Sequence, residues 1–181
     1  MRMNVAKGGL YIQNKKQPSA TNMMKLAWDA TLASAAQSYA DSCPTGPSGA
    51  TGYGENTLSV WTSTPATYIG GYAADAHYKW AEEFSDYGLP SLTMDSAILA
   101  SGVRDATQMI WAKSSIIGCG VANCGQDSAQ NNKTRIFTVC NFSPKGNILG
   151  EVIYEAGLTC SNCPIGTACE SDMGFSTGLC V

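Results

Sequence analysis

The spacing of apolar residues changes character near residue 115. Before it the period is helical. Met24, Trp28, Leu32, Ala35 and Tyr39 recur at four- and three-residue steps, which predicts a helix over 23–42 with one apolar stripe. A second helical run carries Ile69, Tyr72, Ala73, Ala76 and Trp80. Thr64-Pro65 supplies its start, as an N-cap followed by a proline at the first helical position. Gly88 and Pro90 end it. A third helix is expected over about 95–112, closing on Met109-Ile110-Trp111. Residues 1–21 read as a short helical start and a loop, and 44–54, rich in glycine and proline, as another loop. Glu55–Trp61 is a short strand or an extended segment.

Beyond residue 115 short apolar and β-branched runs take over. Ile116–Val121 and Thr134–Phe142 predict strands joined by a polar hairpin loop at 125–133, and Ile148–Tyr154 is a third candidate. Helices first and strands second predict an α+β domain. The segment from Cys160 holds four of the eight cysteines and few apolar residues, so it needs covalent staples to keep a shape.

Eight cysteines in a 181-residue chain of otherwise ordinary composition point to disulfides and an oxidising compartment. Zinc is the competing use of cysteine, and a single histidine, His77, leaves it few partners. The net charge of −3, with basic residues scattered, lacks the basic footprint of a nucleic-acid binder. No apolar run reaches the ~20 residues that span a bilayer. Asn132-Lys133-Thr134 and Asn141-Phe142-Ser143 are N-glycosylation acceptor patterns, making Asn132 and Asn141 candidates. No Gly-x-Ser-x-Gly elbow is present, and cysteines held in disulfides offer no thiolate, so a hydrolase is disfavoured. His77 has no role in any motif. Trp28, Trp80 and Trp111 sit at helical spacing and read as core.

Four stretches carry a family resemblance: Tyr53-Gly54-Glu55-Asn56, Trp80-Ala81-Glu82-Glu83, Thr107-Gln108-Met109-Ile110-Trp111 and Val139-Cys140-Asn141-Phe142-Ser143-Pro144-Lys145-Gly146-Asn147-Ile148. In this order they resemble the signatures of the CAP superfamily (SCP/TAPS), and the cysteine-rich end resembles single-domain venom allergen-like proteins secreted by parasitic nematodes. The resemblance implies a three-layer α-β-α sandwich around an antiparallel sheet. It divides the chain into a CAP domain at 1–157 and a cysteine-rich extension at 158–181. It also suggests the pairs Cys43–Cys124 and Cys119–Cys140; Cys160–Cys169 and Cys163–Cys180 are the pairing expected in the extension. Arg2 could be the arginine of the family's first-helix His-Asn-x-x-Arg motif, in which case the start of the chain is trimmed.

The same resemblance implies a cleft tetrad of two histidines and two glutamates. Glu55 and Glu83 match the glutamates, but Pro47 and Asp105 stand where the histidines belong. Proline offers neither a metal ligand nor a base, and aspartate adds a third carboxylate. No zinc and no cofactor are therefore expected, leaving a hard cation bound by oxygen or a relic cleft as alternatives. The expected function is that of a secreted, non-enzymatic protein at a parasite–host interface. It would bind a sterol or fatty acid near the loop 43–61, with Leu58, Val60 and Trp61 as apolar contacts. A protein-recognition scaffold for a host receptor is the alternative, and a metal-dependent hydrolase is the disfavoured one.

Overall fold

The structure is a computed structural model that describes residues 1–63, 69–172 and 174–181. Two short strands, β1 (Tyr11–Ile12) and β2 (Lys15–Lys16), pair antiparallel early in the chain, and at the centre is a four-stranded sheet built from β3 (Ala27–Trp28), β4 (Gly54–Thr62), β5 (Ile116–Asp127) and β6 (Lys133–Ser143). The spatial order is β3-β5-β6-β4. Pairing is antiparallel except at the two-residue edge strand β3, which runs parallel to β5. Helix α2 (Ala30–Asp41) covers one face, packing Ala36 and Ala40 on Ala122, Phe137 and Val139. Helix α3 (Gly70–Tyr87) covers the other, packing Ala76 and Trp80 on Cys140 and Phe142. This is the expected three-layer α+β sandwich.

The sequence of β5 explains how α2 sits so close. Alternate positions on one face, Gly118 and Gly120, lie under the helix. A Cβ on Gly118 would fall 2.1 Å from the Ala33 nitrogen, and one on Gly120 2.4 Å from the Gln37 Cα. Only glycine permits that approach. The Gln37 side chain then bonds the β5 backbone, donating to the Val121 carbonyl and accepting from its N–H.

Several expectations need correction. The helix predicted over 23–42 starts only at Ala30, where the Asp29 side chain accepts from the Leu32 N–H as N-cap. The preceding stretch is extended, so Trp28 is on an edge strand and 63% exposed rather than in the core. The helix predicted over 95–112 is two short ones, α4 (Ser96–Ala100) and α5 (Arg104–Met109), separated at Gly102, whose φ of +105° no helix can hold. Ile148–Tyr154 joins no named strand: it makes one bridge, Thr93 to Val152, and bonds to the backbone at 92–94. The β5–β6 hairpin is longer than expected, since β5 runs to Asp127 past a bulge between Asn123 and Gln126. The helix start at Thr64-Pro65 lies outside the described residues.

A large apolar cluster stands beside the sandwich, joining Val5 and Ala6 of α1 (Arg2–Ala6) to Ile98, Ile110, Trp111, Ile153 and Tyr154. Arg2 is buried there with no acidic partner. Its guanidinium makes six contacts to five backbone carbonyls, those of Met24 (twice), Met109, Trp111, Ala112 and Ser114. Burial lowers its pKa to about 9, so it stays charged at neutral pH. One cation thus gathers two remote stretches of backbone, at Met24 and at 109–114.

The structure contains disulfides Cys43–Cys124, Cys119–Cys140, Cys160–Cys169 and Cys163–Cys180, and no cysteine is free. In the cysteine-rich end, β7 (Cys169–Asp172) and β8 (Phe175–Cys180) pair as an antiparallel ribbon. Its backbone is tied to the body through Cys180, which donates to the Met23 carbonyl and accepts from the Lys25 N–H. Among the described residues no helix is long and apolar enough to cross a membrane.

Candidate functional site

A cleft of about 560 Å³ opens where the loop before β4, the start of β4, helix α5 and the segment after β6 meet. Pro47, Glu55 and Asp105 all line it. Glu83 stands behind Asp105: its Oε2 accepts from the backbone N–H groups of Asp105 and Ala106 at 3.0 and 2.9 Å. Residues 58 positions apart in sequence, Pro47 and Asp105, thus meet at one cleft, lined by three of the four positions that family resemblance singled out.

Other signature residues hold the cleft together. Asn56 donates to the Asp105 carbonyl at 2.9 Å, tying β4 to α5. Gln108 accepts from the Gly146 N–H and donates to Ser114. Thr107 donates to the Asn147 side chain at 2.6 Å, and Asn147 in turn donates to the Arg104 carbonyl. The Thr-Gln and Gly-Asn signatures are therefore two halves of one buried network, each satisfying the other's polar groups.

The carboxylates differ in how well they are served. Glu83 is raised in pKa by burial, with its two backbone N–H bonds opposing that rise. Asp105 is pushed up to about 7, first by burial and then by the negative charge of Glu83, with Arg104 partly offsetting both. Glu55 accepts from the Ser48 N–H at 2.6 Å through Oε1, while its buried Oε2 has no partner.

These residues do not fit zinc. Pro47 has no donor atom, and Asp105 holds a proton through much of the range in which a ligand must be ionised. The oxygens of Glu55, Glu83 and Asp105 do not all come within 4.8 Å of one another. Among the described residues the one trio that close is Cys160, Cys163 and Cys180, whose sulfurs are all in disulfides. His77 is exposed on α3, its ring against Tyr78 at 3.9 Å between centroids, and it does not line the cleft.

The three apolar candidates lie elsewhere. Leu58, Val60 and Trp61 belong to strand β4 rather than to a loop, and none lines the cleft. Leu58 packs against the Trp80 cluster, and the Trp61 indole donates to Asp127 at 2.8 Å. Of the two glycosylation candidates, Asn132 is exposed at the β5–β6 hairpin. Asn141 is 1% exposed in β6 between two neighbouring strands, with no room for a sugar. The residue that sequence reasoning left without a function is Gln108; its place inside the Thr-Gln signature was the available signal.

An α-β-α sandwich with this cleft and these signatures defines the CAP class. The chain belongs to the cysteine-rich secretory protein family, whose model matches residues 2–142. It is 33% identical over 177 residues to mouse peptidase inhibitor R3HDML, covering 92% of this chain and 68% of that one. It is 32% identical to mouse peptidase inhibitor 15 over 175 residues, covering 91% and 66%, and 32% identical to bovine peptidase inhibitor 16 over 157 residues, covering 86% and 32%. The chain therefore spans between a third and about two thirds of the length of these curated relatives. Among solved structures it is similar to BmVAL-1, with a TM-score of 0.84 and 31% identity over 99% of this chain and 87% of that one. It is also similar to a zinc-containing NaASP2 crystal structure, with a TM-score of 0.77 and 26% identity over 99% and 88%.

Proposed function

We propose that this chain is a secreted, non-enzymatic recognition module whose partner is another protein. The observation that carries this reading is the use made of the cleft carboxylates. Glu83 braces the start of α5 and Glu55 braces the loop at Ser48, and neither faces an imidazole. A general base near neutral pH or an ionised ligand set is what catalysis by this cleft would require. The four disulfides suit an extracellular setting. The relatives' names, all peptidase inhibitors, support a protein partner and make a secreted peptidase the first class to test. A host receptor at a parasite–host interface belongs to the same proposal, as does the division into a CAP unit at 1–157 and an extension at 158–181.

Lipid capture is the second reading. It is favoured by β4 being an edge strand that leaves Leu58, Val60 and Trp61 only partly covered. A sterol or fatty acid would lie along that edge rather than in the polar cleft. One experiment separates the two: the purified chain is titrated against a panel of secreted peptidases and, in parallel, against a labelled sterol with fatty acid as competitor. Saturable inhibition without peptide hydrolysis supports protein recognition. Saturable, competed sterol binding with no inhibition replaces it with the lipid reading.

A further inference from the structure

The chain carries two acceptor patterns for N-linked sugar, and the fold treats them oppositely. We propose that Asn132, and not Asn141, is the glycosylated residue of the secreted protein, and that its glycan covers the end of the sheet farthest from the cleft. This assignment rests on the reading that the chain is secreted.

Asn132 sits at the turn of the β5–β6 hairpin. It is exposed, as are its neighbours Asn131 and Lys133. Its backbone is left-handed, with φ at +57°, a conformation that asparagine tolerates better than most residues. Its N–H donates to the Asp127 carbonyl at 3.0 Å, which fixes the turn and points the residue away from the ladder. Among the described residues its side-chain amide has no hydrogen-bond partner, so nothing is lost when that nitrogen carries a sugar.

Asn141 is the reverse case. It pairs with Glu55 on β4 and Gly118 on β5, so it lies within the sheet interior with sheet on both sides. It is buried, and its Oδ1 is already without a partner. A sugar on its nitrogen would have to pass through a packed layer, and a chain modified there could not close the sheet.

The covalent step balances with a donor of one class. The side-chain nitrogen of Asn132 attacks the anomeric carbon of a lipid-linked oligosaccharide diphosphate. A nitrogen–carbon bond forms, the carbon–oxygen bond to phosphate breaks, the lipid diphosphate leaves with the electron pair, and the nitrogen gives up one proton.

The position has a consequence for recognition. Strand β4 runs from Gly54, at the cleft, to Thr62, paired with Thr134 two residues past Asn132. Eight strand steps put roughly 26 Å between the two ends. The sugar therefore leaves the cleft open. It overhangs the hairpin end, where Trp61 reaches across to Asp127, and so competes with any ligand laid along Leu58–Trp61.

The test expresses the full chain behind a secretion signal in a eukaryotic host and reads gel mobility before and after a glycan-releasing amidase, with peptide mapping. Wild type should show one mobility step, fully removed by the amidase, with the aspartate left behind found at 132. Asn132→Asp, which keeps tolerance for the left-handed turn, should lose the step completely. Thr134→Ala should lose it too, without touching Asn132. Ser143→Ala, which removes only the second pattern, should keep it unchanged. Folded, secreted wild type lacking the step, or a step lost in Ser143→Ala and kept in Asn132→Asp, overturns the assignment. If the chain is held inside the cells, the secretion reading fails, and the same mobility comparison on the lumenal fraction still decides between the two asparagines.

Discussion

The buried Arg2 and the half-buried carboxylates of the cleft are served differently. Around Arg2 the guanidinium makes six contacts to five carbonyl oxygens, drawn from the segment before β3 and from the end of α5 and the turn after it. In the cleft, three carboxylates share few donors. Glu83 has two backbone N–H groups, Glu55 has one and an empty oxygen, and Asp105 escapes by keeping a proton to about pH 7. A buried charge with a full set of partners belongs to the architecture. A cluster of half-buried carboxylates with few donors marks a place open to a further partner. That contrast assigns Arg2 to folding and leaves the cleft as the candidate site.

The largest expected effect breaks the well-served end. Arg2→Met removes a donor from five carbonyls at once; those of Trp111 and Ala112 keep a backbone N–H from Ser114 and Met24, and those of Met24, Met109 and Ser114 must go unpaired or admit water. It should cost about 4 kcal/mol or more in denaturant unfolding. Arg2→Lys should recover only part, because a point charge on a flexible stem cannot span the same five oxygens. A loss under about 1 kcal/mol would remove Arg2 from the architecture and dissolve the comparison.

The next effect reads the poorly served end through pH. Unfolded, Asp105 titrates near its ordinary 3.8; folded, at about 7. Between those values the folded chain holds a proton that the unfolded chain has released, so stability rises as pH falls from about 7 towards 4 and is lost as pH rises through 7. Glu83, also raised, acts in the same direction. Allowing for the partial exposure of Asp105, the swing should be about 2 kcal/mol. Asp105→Asn should flatten that slope and be the more stable protein at pH 8. An unchanged slope would mean that the cleft carboxylates are solvated like surface groups.

Glu83→Ala comes third. It strips both N–H groups at the start of α5 of their acceptor, an effect of the size of a lost helix cap, about 1–2 kcal/mol by thermal or chemical unfolding. Glu83→Gln keeps an acceptor oxygen and should cost less than half of that.

How much of this was legible beforehand depended on the range of the interaction. The sandwich followed from the resemblance carried by Gly54-Glu55-Asn56, Trp80–Glu83 and Thr107–Trp111, and of the four positions that resemblance singles out, Pro47, Glu55 and Asp105 line the cleft while Glu83 stands behind it. Trp28 was misread because its spacing fits the stripe of α2, whereas the capping Asp29, a local signal beside it, starts the helix after it. Gly102 gave the break between α4 and α5 in plain sight, since one left-handed residue outweighs a helical period. Arg2 could not be read as a staple at all. Its partners are carbonyls 22 to 112 residues away, and a carbonyl is the same in every residue type. The partial cover of Leu58, Val60 and Trp61 was likewise invisible, because it depends on β4 falling at the sheet edge.

The smallest expected effect is the most informative about function. Glu55→Gln leaves an oxygen to accept from Ser48 and puts an amide where the unpartnered Oε2 now stands, so stability should move by about 0.5 kcal/mol or less. If Glu55 is only a brace, inhibition of a peptidase partner should be as strong in Glu55→Gln as in the wild type. If the partner's own cation or N–H completes that empty oxygen, loss of the charge should weaken binding by roughly tenfold, the effect of one charged hydrogen bond, with the fold untouched. The first result would make the cleft a passive remnant and move the recognition surface elsewhere on the module. The second would show that Glu55 serves as a contact for another molecule, and the imbalance between the Arg2 site and the cleft would then be the trace of that contact.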